Sequence, residues 1–131
     1  MVAYLASSWS RRSEMRQIRS ELNSVGVCVN ARWLDEEETP PRDNDKYMRE
    51  NAFADIKDVV GCDVFVRFSD DLSSDVVPSN LATGARFFEM GLAYKEGIPI
   101  VVVGGKQCIF DFLPVTHLKD KEELKSYLSP V

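Results

Sequence analysis

The sequence predicts an α/β fold in three layers, with a doubly wound, mostly parallel sheet of about five strands covered by helices on both faces. Short apolar runs rich in β-branched residues alternate with longer segments of helical periodicity. The run "IPIVVVG" is typical of a strand buried on both faces of a parallel sheet. No internal repeat or low-complexity segment divides the chain, so residues 1–131 are predicted to form one domain.

The first part of the chain is predicted to run from strand to helix to strand. "VAYLASS" is an apolar run that ends in small polar residues, as a buried strand does where it opens into a loop. "VCVNARW" predicts the second strand, and the proline-containing "LDEEETPPRDND" predicts a loop. Between the strands, Gly26 is suited to the C-terminal cap of a helix with apolar residues at three- and four-residue spacing. These residues are Met15, Ile18 and Leu22.

A second helix is predicted from about Asp45 to Gly61, followed by the β-branched and aromatic strand "DVFVRFS" and the polar loop "DDLSSDVVPSN". The apolar stripe of this helix consists of Phe53, Ile56, Val59 and Val60. Its pattern predicts that the stripe faces the sheet.

The last part of the chain is predicted to run from helix to strand to helix. The helix that contains "FFEMGLAYKEG" ends at Gly97 and Pro99, before the strand "IPIVVVG". "DKEELKSYL" predicts a last amphipathic helix with Leu124 and Leu128 facing inward. In parallel sheets of the flavodoxin-like or Rossmann-like kind, ligands bind at the carboxyl ends of strands where the strand order reverses.

Composition excludes several classes of protein. Hydrophobic residues make up 44% of the chain and charged residues 28%, as in globular proteins. No apolar run reaches the roughly 18 to 20 residues of a membrane span, and the N-terminal segment lacks the charge order of a signal peptide, so we expect a cytoplasmic protein. The net charge of -5 disfavours binding to a polymeric nucleic acid.

Cysteine and histidine content argues against metal and triad chemistry. His117 is the single histidine, so a zinc site or a Ser-His-Asp triad would depend on that one residue. The cysteines have no CxxC spacing and are expected to be buried, reduced thiols. They are Cys28, Cys62 and Cys108. No metal ion or organic cofactor is therefore expected.

Glu89 is a candidate functional residue because it is the one carboxylate within an apolar stretch of helix. A carboxylate in a desolvated cleft has a raised pKa and is a better nucleophile or base than a hydrated one. The alternative is a surface glutamate paired with Arg86 three residues before it, which contributes only tenths of a kcal/mol. Gly91 weakens the helix by roughly 1 kcal/mol relative to alanine, which indicates a close approach there.

The turn after the first strand is a candidate anion site. Neither GxGxxG nor the P-loop pattern is present. Ser7, Ser8 and Arg11 nevertheless stand where a strand leads into a helix, so hydroxyl, amide and guanidinium groups can meet an anion. The alternative is that Ser10 caps the helix and the arginines are solvated. Asp55, beside the apolar stripe, can alternatively be a solvated helix residue. Asp63, before the third strand, is interpreted as a strand-edge residue rather than a catalytic one.

Taken together, "YLASS", "ADIKDVVGCDVFV" and "TGARFFEMGLAYKEGIPIVVV" resemble the nucleoside 2-deoxyribosyltransferase family, which includes hydrolases of deoxynucleoside 5'-monophosphates. The resemblance runs from about residue 2 to residue 114. Its specificity lies in the order and spacing of the three segments: a Tyr-x-x-x-Ser turn, an Asp eight residues before another Asp, and a Glu-x-Gly-x-Ala helix before a valine-rich strand.

The resemblance implies a role for residues in each segment. Glu89 matches the family's nucleophile, and Asp55 matches the carboxylate that binds the sugar and manages protons. Tyr4 matches a residue that positions the nucleophile. Further substrate-binding residues are expected in the turn after the first strand and at the start of the helix that contains Glu89. They are Ser7, Ser8, Arg11, Thr83 and Gly84. Thr83 resembles the Ser of the nucleotide hydrolases more than the Asp of the transferases, but the first turn lacks the hydrolases' glycines.

The expected activity is cleavage of the N-glycosidic bond of a nucleoside or nucleoside 5'-monophosphate, with transfer to another base or to water. A non-catalytic nucleotide-binding module is the alternative, and a DNA glycosylase fits the acidic charge balance poorly. Family members commonly complete the pocket with a neighbouring subunit, so a homo-oligomer is expected. The apolar "CIFDFLP" can supply that contact, or Phe110 and Leu113 can pack in the core.

Overall fold

The computed structural model describes residues 1–36, 43–70 and 84–130 and contains a five-stranded parallel sheet with helices on both sides, as predicted. The strands are β1 (Val2–Ala6), β2 (Cys28–Val29), β3 (Val64–Phe68), β4 (Ile100–Val103) and β5 (Thr116–Leu118). Their spatial order is β2-β1-β3-β4-β5, and each neighbouring pair is parallel. The strand order therefore reverses at β1 and β3, which opens a crevice at their carboxyl ends.

Two pairs of helices cover the sheet: α1 (Arg12–Ser24) contacts α4 (Lys121–Leu128), and α2 (Asp45–Val60) contacts α3 (Ala85–Lys95). Gly26 has a φ of 88° just past α1, the left-handed conformation that the predicted C-terminal cap requires. The α4 prediction is also confirmed, because Leu124 and Leu128 are buried. None of the helices in the described ranges has the length and apolarity needed to cross a membrane.

The second strand is shorter than predicted. Pairing with β1 covers only Cys28–Val29, and residues 32–35 form a 3-10 turn instead of extended strand. Tertiary contacts redirect the chain there: the Asp58 carboxylate accepts from the backbone N–H of Arg32 at 3.0 Å, and the Trp33 indole N–H donates to the Leu5 carbonyl at 2.9 Å. A fifth strand, Thr116–Leu118, was not identified in the sequence at all.

The inward face of α2 was predicted wrongly in part. Phe53 and Val60 are exposed, although Val59 is buried. Residues 55 and 58 lie on the same side of the helix as Val59 at 100° per residue, and Asp58 is buried as well. The side of α2 that faces the protein therefore carries carboxylates, which a search for apolar periodicity does not recognise.

One expectation and one alternative about buried side chains are wrong in part. Cys28 is exposed and Cys108 only partly buried; of the three free thiols only Cys62 is buried. Phe110 is 57% exposed, so it does not pack in the core. It belongs to a 3-10 turn whose other apolar side chains also point outward, as described below.

Candidate active site

The side chains of Tyr4 and Glu89 meet between the sheet and α3. The Tyr4 hydroxyl donates a short hydrogen bond to the Glu89 carboxylate. Tyr4 is fully buried and stacks on Phe65, with ring centroids 5.7 Å apart. The stacking follows from the strand register, because Tyr4 pairs with Phe65 across β1 and β3 and both side chains then project from the same face.

Glu89 lies on the side of α3 that faces the sheet. Ala93, one turn later, is fully buried, which fixes this side as the inward one. Burial raises the pKa of Glu89 to about 8, a hydrogen bond from Tyr4 opposes the rise, and the negative charge of Asp55 adds to it. The predicted alternative, a pair between Glu89 and Arg86, is wrong, because Arg86 binds Asp70 at 2.5 Å.

Asp55 is near enough to this pair for its charge to act on both members. Burial is the main cause that raises the pKa of Asp55 to about 6; the charge of Asp58 adds to the shift and Arg32 opposes it. Asp58 itself is paired with Arg32 at 2.8 Å. The site thus holds two carboxyl groups whose pKa values lie far above the ordinary range, one below and one above pH 7. Strongly shifted pKa values are a common feature of catalytic sites.

A small cavity of about 70 Å³ lies beside Asp55, between α2 and the turn at residues 32–35. Trp33 forms an aromatic wall, and Glu36 and Asn51 contribute polar groups. The side-chain nitrogen of Asn51 is buried without a hydrogen-bond partner in the described part of the chain. Most of its lining residues are polar or charged, and its volume is below the roughly 300 Å³ at which ordinary ligand pockets begin, so the cavity can take only part of a small molecule.

Among the predicted turn residues, Ser8 and Arg11 reach the carboxyl end of β3. The Ser8 hydroxyl donates to Asp70 at 2.7 Å, and the Arg11 guanidinium donates to the Ser69 carbonyl at 2.7 Å and pairs with Glu14. The alternative in which Ser10 caps the helix is wrong, because Arg11 occupies the N-cap position of α1. The alternative in which the arginines are solvated is wrong for Arg11, because its guanidinium is held by the Ser69 carbonyl and by Glu14. In this first turn, Ser8 and Arg11 therefore bind residues that follow β3.

The remaining predicted substrate-binding residues are Ser7, Gly84 and Thr83. The Ser7 hydroxyl donates to the neighbouring Ser8 carbonyl at 3.1 Å. Gly84 precedes α3 and is exposed. Thr83 lies outside the described residues.

Sequence reasoning missed Asp58, Arg32 and Asp70. Asp58 is recognisable only as a neighbour of Asp55 on one helix face, and Arg32 lies in a segment predicted to be a strand. In the described ranges, no group of three or more His, Cys, Asp or Glu side chains is placed to hold a metal ion. Asp63 accepts from the Val2 backbone N–H at 2.7 Å, in agreement with its interpretation as a strand-edge residue.

Comparison with known proteins finds the same fold in solved structures. A 2-deoxyribosyltransferase from Bacillus psychrosaccharolyticus matches with a TM-score of 0.70 and 15% identity, over 97% of this chain and 92% of that one. A CMP N-glycosidase from Clostridium botulinum matches with a TM-score of 0.60 and 17% identity, over 98% of both chains. A conserved protein from Enterococcus faecalis V583 matches at 0.63 and 13%, over 96% of this chain and 95% of that one. No protein-family model matches the chain, and no curated protein matches it in sequence.

Proposed function

We propose that the protein cleaves the N-glycosidic bond of a nucleoside or nucleoside 5'-monophosphate through a covalent glycosyl intermediate on Glu89. The observation that carries this proposal is the buried contact between Glu89 and Tyr4 next to Asp55. Among the solved structures that share the fold, one is named a 2-deoxyribosyltransferase and another a CMP N-glycosidase, which agrees with the resemblance seen in the sequence.

The proposed reaction has two displacement steps. A carboxylate oxygen of Glu89 attacks C1', the C1'–N bond breaks, and its electron pair leaves with the base, which takes a proton from Asp55. Water, or a second base, then attacks C1' from the opposite face and the ester bond to Glu89 breaks. Asp55 accepts the proton that the incoming nucleophile loses. The sequence is that of a retaining glycosidase.

Each group has a physical reason for its role. The transition state carries positive charge on the sugar ring, which a poorly hydrated carboxylate stabilises more strongly than a hydrated one does. The Tyr4 hydroxyl stabilises the ionised form of Glu89 and keeps one oxygen in place. Burial and the charge of Glu89 raise the pKa of Tyr4 well above its ordinary value, so Tyr4 acts as a donor.

We also propose that two copies associate through the residues that follow β4. Ile109, Phe110 and Phe112 are 77%, 57% and 72% exposed. Of these three residues, Phe110 lines an apolar cavity of about 310 Å³ on the side of α3 opposite Glu89, and Gly91 lines the same cavity. A clustered apolar surface of this kind is typical of a contact between proteins.

The test is a panel of deoxynucleosides and their 5'-monophosphates, incubated with and without a second base and analysed by chromatography. We expect release of free base, or exchange when a second base is present, and a loss of at least about 1000-fold in Glu89→Gln. Glu96→Gln, at the exposed end of the same helix, is the matched control and should keep full activity. Tight binding with no base release would favour the non-catalytic module instead.

A further inference from the structure

A second polar cluster stands at the carboxyl ends of β1 and β3, beside the Tyr4–Glu89 pair. Asp70 accepts from the Ser8 hydroxyl at 2.7 Å and from the Arg86 guanidinium at 2.5 Å. The Arg86 and Asp70 side chains are only 6% and 9% exposed. The backbone N–H of Asp70 also donates to the Gln107 side chain at 3.2 Å, so four segments of the chain meet here.

The cluster lies one helical turn from Glu89. Arg86 precedes Glu89 by three residues, which places the two on one side of α3 and about 4.5 Å apart along its axis. Ser8 follows Tyr4 by four residues at the mouth of the same crevice. A sugar whose C1' lies at Glu89 can therefore direct its C5' group, at the other side of the furanose ring, toward Asp70.

The same cluster has the groups that proteins use for phosphate, but a carboxylate already occupies them. A guanidinium and a hydroxyl are typical phosphate ligands, and here both bind Asp70. A 5'-phosphate would have to displace Asp70 from Arg86 and leave a buried carboxylate beside two further negative charges, which is strongly unfavourable. A neutral 5'-hydroxyl meets no such obstacle, because a carboxylate has more lone pairs than these two donors use.

We propose that Asp70 is a specificity-determining residue that accepts the free 5'-hydroxyl of a nucleoside and rejects a 5'-phosphate. This inference rests on the proposed glycosidic activity and narrows its substrate class to unphosphorylated nucleosides.

The test compares kcat/KM for a deoxynucleoside and for its 5'-monophosphate in the unmodified protein and in Asp70→Asn. The unmodified protein should prefer the nucleoside by at least about 100-fold, and Asp70→Asn should reduce this ratio about 10-fold or more. Asp63→Asn is the matched control, because Asp63 flanks β3 at its opposite end and should leave the ratio unchanged.

Two further measurements keep the inference testable. A substrate with hydrogen in place of the 5'-hydroxyl should react about 10-fold more slowly in the unmodified protein and show a much smaller loss in Asp70→Asn. If Asp70→Asn fails to fold because the buried Arg86 charge loses the Asp70 carboxylate, the double variant Asp70→Asn/Arg86→Gln removes both charges, and it should also lose the discrimination.

The outcomes separate the two proposals. Base release with a preference for the monophosphate would overturn the role of Asp70 and leave the glycosidic activity supported. An unchanged ratio in both Asp70 variants would overturn it as well. No base release from either substrate would overturn the proposed activity, and the specificity inference with it.

Discussion

The Tyr4 hydroxyl and the Glu89 carboxylate form a hydrogen bond between residues 85 positions apart, which connects the first strand to the third helix. The bond has an energetic consequence at the site. Burial raises the pKa of Glu89, whereas the donated hydrogen bond lowers it. The fraction of Glu89 that is ionised near neutral pH therefore depends on Tyr4.

Tyr4→Phe removes this hydrogen bond and keeps the ring that stacks on Phe65. We expect kcat/KM for base release at pH 7 to fall about 10- to 100-fold, because a hydrogen bond to a charged group contributes about 1.5–3 kcal/mol. The pKa of Glu89 should rise, so the alkaline limb of the pH profile should move upward. Tyr127→Phe, at an exposed position on α4, is the control. Unchanged rates and an unchanged profile would contradict the role of the hydroxyl.

The two carboxyl groups predict a bell-shaped dependence of kcat/KM on pH, with limbs at about 6 for Asp55 and about 8 for Glu89. The first step needs protonated Asp55 and ionised Glu89 together. Since Asp55 has the lower pKa, this combination makes up roughly 1% of the molecules at pH 7. The rate should rise up to about pH 6, stay level, and fall above about pH 8.

Asp55→Asn tests the assignment of the acid. Without a proton donor at this position the rate should drop, and its decrease above pH 8 should disappear, because only the ionisation of Glu89 remains. Glu50→Gln, exposed on the same helix, should keep the bell shape. Initial rates across pH 5 to 10 in each variant measure the difference, and a retained alkaline decrease in Asp55→Asn would assign the acid to another group.

Glu89 should also make stability depend on pH. Its pKa rises from 4.5 to about 8 on folding, so the folded state holds the proton more tightly. The protein is then most stable with respect to this group below pH 4.5, loses stability as the pH rises toward 8, and changes no further above it. Glu89→Gln mimics the protonated acid, so its Tm should match the parent at pH 4 and exceed it by several degrees at pH 9. A lower Tm for Glu89→Gln at pH 9 would contradict the burial argument.

Removing one partner of the buried ion pair between Arg67 and Asp111 should lower the stability of the protein strongly. Both side chains have zero exposure, their nitrogen and oxygen lie 2.5 Å apart, and Asp111 also accepts from the backbone N–H of Gln107. Asp111→Ala leaves the Arg67 charge buried and should lower the free energy of unfolding by about 3–5 kcal/mol in urea titrations. Glu122→Ala, which breaks an exposed pair with Lys125, should cost less than about 1 kcal/mol. Equal effects would show that water reaches Arg67.

The proposed association through the exposed turn after β4 can be measured directly. Ile109→Ser with Phe112→Ser should convert the protein to a monomer in size-exclusion chromatography with light scattering, because both side chains lose most of the apolar area they present to solvent. Phe53→Ser removes an equally exposed aromatic residue from α2 and should leave the mass unchanged. A monomeric parent protein would refute the association.

Local sequence patterns determined most of the secondary structure. Helix and strand periods, β-branched runs and the glycine after α1 depend on neighbours within a few residues, and they placed four strands and four helices in the observed order. They also marked Glu89, since a carboxylate among apolar residues is visible in one dimension. The same reasoning misassigned the inward face of α2, because polar residues line it.

Which distant side chains meet depends on how the strands and helices pack in three dimensions. Tyr4 binds Glu89, and Arg86 pairs with Asp70 instead of with Glu89. These contacts form because β1 and β3 are neighbours in the parallel sheet, so their carboxyl ends lie together at the edge of the sheet beside α3. Pairing of this kind depends on chain topology and on the cost of burying unpaired charge, neither of which is written in the spacing of residues along a helix.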